Sequence, residues 1–153
     1  MVEVRLVEFY YDERDRMFYG EGYLDFSDEY RKILRENFDV GLIKHIDYFY
    51  REFVGIDFEG INFRFKQGYD GEFTTDLIVD VYIRSFDKFD VEDYFEEAIE
   101  HDKSLLEEYG VAGIEIIKEN VRNVYDMIVE RIYSYLEEYL KDVINEAKRE
   151  WQL

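Results

Sequence analysis

Positions 3–11 (EVRLVEFYY) alternate between apolar and polar residues, placing Val4, Leu6 and Glu8 on one face of a strand. The polar run Asp12-Glu13-Arg14-Asp15 reads as a turn, and positions 16–25 (RMFYGEGYLD) return as a second, aromatic-rich strand. Ser27 or Asp25 is placed to cap a helix reaching about Phe38, with Tyr30, Ile33 and Leu34 at helical spacing. A further helix over 40–54 would bury Ile43, Ile46, Phe49, Tyr50 and Phe53, with Gly55 where a C-cap glycine belongs. Alternation resumes over 56–66, with Phe63 and Phe65 opposite Asn62, Arg64 and Lys66. After a glycine-containing loop, Leu77, Val79, Val81 and Ile83 alternate with Ile78, Asp80, Tyr82 and Arg84.

From Asp90 onward the period is helical. One helix, capped by Asp90, is expected over 90–109, with Val91, Phe95, Ala98, Ile99, Leu105, Leu106 and Tyr109 on its apolar stripe and Gly110 ending it. A second is expected over 112–150, its stripe running from Ile114 through Val121, Ile128, Leu136 and Leu140 to Ala147. A helix of that length would extend about 57 Å, beyond the diameter of a domain this size. Two resolutions are open: a break near Asn120–Asn123 or Ser134, or continuation of the stripe onto a second copy as a homodimer through residues 112–150. The expected architecture is α+β, one domain over 1–153. It comprises hairpin 3–25, helices 27–54, hairpin 56–86 and helices 90–109 and 112–150. The two hairpins form a small antiparallel sheet with helices packed on one face.

Composition narrows the function more than the fold. The 153 residues are 47% hydrophobic and 19% aromatic, enough for a core and unlike a disordered chain. With 38 acidic and 19 basic residues the formal charge is −19. That argues against direct nucleic-acid binding, which relies on positive charge to displace counterions from phosphates. No apolar run reaches the ~20 residues of a spanning helix, so no membrane association is expected. The lack of a signal-peptide pattern at the N-terminus, of cysteine and of proline fits a cytoplasmic setting.

Candidate chemistry is thin. His45 and His101 belong to no HExxH or Glu-x-x-His pair, and Glu97–His101 at i,i+4 reads as an ordinary helix pair. No serine stands in a Gly-x-Ser-x-Gly elbow, and Gly20-Glu21-Gly22 sits within a strand where no phosphate loop forms. Asp76 and Asp80, four apart, read as a solvated strand face more readily than as Mg²⁺ ligands. No catalytic residue, cofactor or metal is therefore expected.

The charge is unevenly distributed. Residues 90–109 carry nine acidic side chains and one basic, Lys103. Glu92, Glu96 and Glu100 fall four apart, with Asp93 and Glu97 in a row beside them and Glu107 and Glu108 extending the patch. Residues four apart rise about 6 Å and stack on one helix face. Such like-charged neighbours destabilise a helix by ~0.2–0.5 kcal/mol each. A second row, Glu138, Asp142, Glu146 and Glu150, is partly offset by Lys148, Arg149 and an expected Glu137–Lys141 pair. Tyr94 and Phe95 belong to the apolar stripe and are expected in the core. These rows suggest a non-enzymatic protein whose acidic helix engages a basic nucleic-acid-binding protein, as phage DNA-mimic inhibitors of restriction or CRISPR nucleases do. The alternative is a self-associating scaffold paired through its last helix.

Overall fold

The computed structural model describes all 153 residues. The elements run β1 (Glu3–Asp12), β2 (Met17–Asp25), α1 (Ser27–Asn37), α2 (Val40–Tyr48), a π-helical turn (Phe49–Phe53), β3 (Ile61–Gly68), β4 (Ile78–Val81), α3 (Lys88–His101) and α4 (Ser104–Glu150). The fold is α+β, as the hydrophobic pattern implies. No helix is long and apolar enough to cross a membrane. The chain divides into two compact units, each assembled from separated segments, and the division falls inside α4 between Ile128 and Val129.

The first unit takes residues 1–28, 58–83 and 129–153. Its four strands form an antiparallel sheet in the order β1-β2-β3-β4. Cross-strand pairing places Phe9, Phe18, Leu24, Phe63, Phe65, Val79 and Val81 on one face. The opposite face carries Tyr10, Tyr19, Glu21, Arg64, Lys66 and Tyr82. Strict alternation fails in β1, where a bulge between Leu6 and Glu8 shifts the register. Phe9 therefore takes the inward position opposite Gly20, and Glu8 stays exposed. The second hairpin is also shorter than its pattern: β4 keeps four residues, and the span before β3 is irregular.

The glycines of β2 are required by close approach. A Cβ on Gly20 would lie 2.3 Å from the Phe65 ring, and one on Gly22 would lie 2.1 Å from the Arg5 carbonyl oxygen. Ile132, Leu136, Leu140 and Ile144 of α4, all fully buried, supply the helical layer. Trp151 closes it, its ring 5.1 Å from Phe9 and 6.0 Å from Phe18. Tyr133 accepts from the Val81 amide at 3.3 Å, and the Tyr135 hydroxyl donates to the Val2 carbonyl at 3.2 Å.

The second unit takes residues 29–57 and 84–128 and is helical. Asp25 accepts from the Ser27 amide at 2.9 Å and its hydroxyl at 2.5 Å, starting α1. Asp39 caps α2 through the Leu42 amide at 3.0 Å. α2 then widens into the π-helical turn, which ends at Gly55, held at φ 80°. Contrary to the periodicity, Phe53 is 36% exposed and Ile43 is only half-buried. The core is an aromatic cluster: Phe49 lies 5.3 Å from both Tyr94 and Phe86, and Phe86 meets Tyr125 edge-on at 4.4 Å. The buried Tyr50 hydroxyl donates to the Val121 carbonyl.

α4 does not break where the length problem led one to expect. Its helical geometry breaks at Gly110 (φ 72°, ψ 171°), ahead of the long stretch and not at Asn120–Asn123 or Ser134. The stripe beyond it is buried within the chain, from Ile114 (3% exposed) to Ala147 (4%). Residues 114–128 supply the second unit and 129–147 the first. The spacing changes with the neighbour. Buried positions alternate three and four apart from Ile114 to Ile128, then hold a steady four through Ile144. A steady-four row is inclined to the helix axis, which lets the helix lie across a twisted sheet.

The tyrosines make the second unit sensitive to alkali. Burial, then the neighbouring Asp47, which accepts from the Tyr30 hydroxyl at 3.0 Å, pushes Tyr30 far above the usual 10.0. Burial also raises Tyr50 well above that value and takes Tyr94 to about 12. A group whose folded pKa is raised contributes stability that is full below pH 10 and is lost as pH climbs toward the folded value. Helix loss, followed by circular dichroism, should therefore coincide with a late, cooperative step in tyrosinate absorbance above pH 10. Full, reversible ionisation of all 15 tyrosines with the helical signal intact would contradict this.

Candidate acidic interaction surface

The N-cap of α3 lies three residues before the expected one, Asp90. Asp87 is the N-cap and accepts from the Asp90 amide at 3.1 Å, while Asp90, at N3, accepts from the Asp87 amide at 3.2 Å. This capping box anchors the helix end and places both carboxylates at the positive pole. Val91, Tyr94 and Phe95 then turn inward, 0–6% exposed, as the stripe requires. The Tyr94 hydroxyl fastens α3 to α2 by donating to the His45 carbonyl at 3.0 Å. The carboxylates Asp93, Glu96, Glu97 and Glu100 take the outward positions of the helix.

α3 ends at His101, not at 109. Asp102 accepts from the Ser104 amide at 3.1 Å and its hydroxyl at 2.5 Å, so a separate helical turn starts there. Those two bonds hold the Asp102 carboxyl below its usual 3.8. Leu105 anchors this turn in the core at 3% exposure, whereas Leu106, expected on the same stripe, is 36% exposed. Glu107 and Glu108 face outward.

Of the seven carboxylates singled out by spacing, one behaves differently. Glu92 accepts from the Lys118 ammonium at 2.7 Å and from Arg122 at 3.2 Å. Lys118, itself only 8% exposed, also reaches Glu115 at 3.0 Å. The hydrogen bond from Lys118, above all, holds the Glu92 carboxyl below its usual 4.5, against the opposing effect of burial. Burial pulls Lys118 down, but its bonds to Glu92 and Glu115 more than offset this, leaving it above 10.5. Glu92 is thus the hub of an ion cluster joining α3 to α4. Cations from another helix therefore relieve the row at this position. Periodicity within one helix carries no record of a lysine 26 residues away.

Asp93, Glu96, Glu97, Glu100, Glu107 and Glu108 are all exposed. Their one ion-pair contact is Glu97 to the His101 ring at 4.0 Å, which counts only when the ring is protonated. Lys103, the one basic side chain in this segment, forms no ion pair with them. In the first unit, Glu138, Asp142, Glu146 and Glu150 are likewise exposed on α4. Glu137 and Lys141 make no ion pair, so that row is offset less than its sequence implies.

Asp76 falls in an irregular segment outside β4, so it does not share a strand face with Asp80. No three His, Asp or Glu side chains come together in a way that could hold a metal ion. The structure does bring His45 and His101, 56 positions apart in sequence, to one hollow of about 320 Å³ beside Tyr48 and Tyr94. Nothing in the spacing of two isolated histidines signals that meeting. Compared with protein-family models, curated proteins and solved structures, the chain matches none of them.

Proposed function

We propose that the ridge formed by Asp93, Glu96, Glu97 and Glu100 of α3, extended by Glu107 and Glu108, occupies a basic nucleic-acid-binding surface on another protein. The observation that carries this reading is the absence of any lysine or arginine paired with these six exposed carboxylates, while the nearby Lys118 and Arg122 are committed to Glu92. A like-charged row at about 6 Å intervals keeps its mutual repulsion in the free protein. Docking against a cationic groove removes that repulsion and releases the groove's counterions, which is also how such a groove gains affinity for a phosphate backbone. The net charge of −19 would speed the encounter at low ionic strength. A nuclease groove, as in restriction or CRISPR enzymes, is the concrete target class.

The test is capture from a cell lysate on the immobilised chain, eluted with salt or competing duplex DNA. A nucleic-acid-binding protein retained at low salt and released by DNA is the expected result. The quadruple variant Asp93→Asn, Glu96→Gln, Glu97→Gln, Glu100→Gln should lose at least ~100-fold in affinity for it, at a melting temperature equal to or above wild type. Undiminished capture by that variant would end this assignment. The self-associating scaffold gains no support, because the stripe that argued for pairing along 112–150 is buried within the chain.

A further inference from the structure

Basic side chains of this acidic chain gather on a different surface. In the second unit, α1 and α2 bound an open groove of about 510 Å³. Its floor is apolar: Leu34 of α1, with Ile43 and Val40 of α2, the last 89% exposed. Val40, Ile43, Lys44 and Asp47 follow the i, i+3, i+4, i+7 pattern, so they share one face of α2. Arg31, Leu34 and Arg35 do the same on α1. Around the floor stand Arg31 and Arg35 on one side and Lys44 and Arg51 on the other.

Arg31 is already engaged within the chain, whereas the other three rim cations are not taken up by the fold. Arg35, Lys44 and Arg51 are exposed and form no ion pair. The single carboxylate in the groove, Asp47, already accepts from the Tyr30 hydroxyl at 3.0 Å. In a chain with twice as many acids as bases, three unpaired cations beside an apolar floor on which Val40 stands open to solvent form a surface complementary to an anion with a hydrocarbon body.

We propose that this groove binds a small amphipathic anion, an acyl-chain carboxylate, its chain lying along Leu34, Val40 and Ile43 and its head held by Arg35 and Lys44. Guanidinium groups match a carboxylate in bidentate geometry, and an ammonium adds a point charge. The volume lies within the range of small-molecule sites. Three apolar side chains fall far short of the ~800 Å² per partner that a stable protein interface buries. An acidic macromolecule would also bring many charges against a net −19, whereas a single-headed anion brings one. The inference does not rest on the acidic ridge.

The test is calorimetric titration of monomeric sodium dodecanoate into the full chain. One-to-one binding, weakened by salt, is expected, with no binding of dodecyltrimethylammonium, which has the same chain and the opposite charge. Arg35→Gln with Lys44→Gln, and separately Val40→Asp, should each weaken binding by about tenfold or more. All three positions are exposed, so the circular dichroism melt should be unchanged. Absence of binding, equal binding of the cationic analogue, or unaltered affinity in both variants would overturn the proposal. Binding confined to anionic phosphatidylglycerol vesicles would overturn it in favour of a membrane-surface contact. The quadruple ridge variant should bind dodecanoate like wild type, which separates failure of this inference from failure of the partner assignment.

Discussion

Replacing Glu92 with Gln is expected to cost about 2 kcal/mol, whereas Glu96→Gln and Glu100→Gln should stay within about 0.5 kcal/mol of wild type. The three residues occupy one row in sequence, and only their environments differ. Removing the Glu92 charge leaves Lys118, 8% exposed, with Glu115 alone, and Arg122 without its carboxylate. The Arg122 Nε is already buried with no hydrogen-bond partner, so the site has little reserve. Stranding one member of a fully buried pair costs about 3–5 kcal/mol. Glu92 is about a third exposed, which reduces that figure. The corresponding fall in melting temperature is about 4–8 °C.

The pH dependence has a definite sign. The Glu92 carboxyl is held below 4.5 in the folded state, so its contribution is present above that pH and lost as pH falls through the lowered value. Urea denaturation at neutral pH should therefore separate Glu92→Gln from wild type, and the two should converge in acid below the folded value. Equal stability of the Glu92 and Glu96 variants at neutral pH would show that the cluster is not a structural hub.

Gly22→Ala should be the more damaging change, at about 3 kcal/mol or more. The added Cβ would sit 2.1 Å from the Arg5 carbonyl oxygen and 3.1 Å from the Leu6 Cα, both backbone atoms of the neighbouring strand. Neither can rotate away as a side chain would, so β1 must shift beside its bulge and loosen the pairing that brings Phe9 inward. Trp151, the one tryptophan, packs in tilted contact with Phe9 and Phe18 and reports on this unit. Its fluorescence transition in urea should move to a clearly lower midpoint. Gly71→Ala is the control: φ is +98° there, but nothing lies within 4 Å of the new Cβ. Strain without collision should cost only about 1 kcal/mol. A Gly22 variant no worse than Gly71→Ala would mean that the two strands approach less closely than described.

The sequence by itself determined the elements and their inward faces wherever the neighbour is local or the period is unbroken. Phe63 and Phe65 against Arg64 and Lys66, Val91 and Phe95 on α3, and the stripe from Ile114 to Ala147 all follow from periods of 2 and 3.6. The terminating roles of Gly55 and Gly110 were legible too, because a positive φ is open to glycine and strained for other residues. The acidity of residues 90–109 is a matter of composition alone.

Only the tertiary structure decided what meets those faces. The bulge in β1 moved Phe9 to the position that alternation assigned to Glu8, because pairing with β2, and not β1 alone, sets its register. It singled out Glu92 from its row, through a lysine and an arginine one helix away. It brought Arg35 and Lys44 to the same groove from two helices. It also covered the long stripe of α4 from within the chain, with a change of spacing at Ile128, where one compact unit gives way to the other. A periodic pattern records that a face must be buried. The identity of what buries it depends on contacts between residues far apart in sequence, and a local period carries no trace of those.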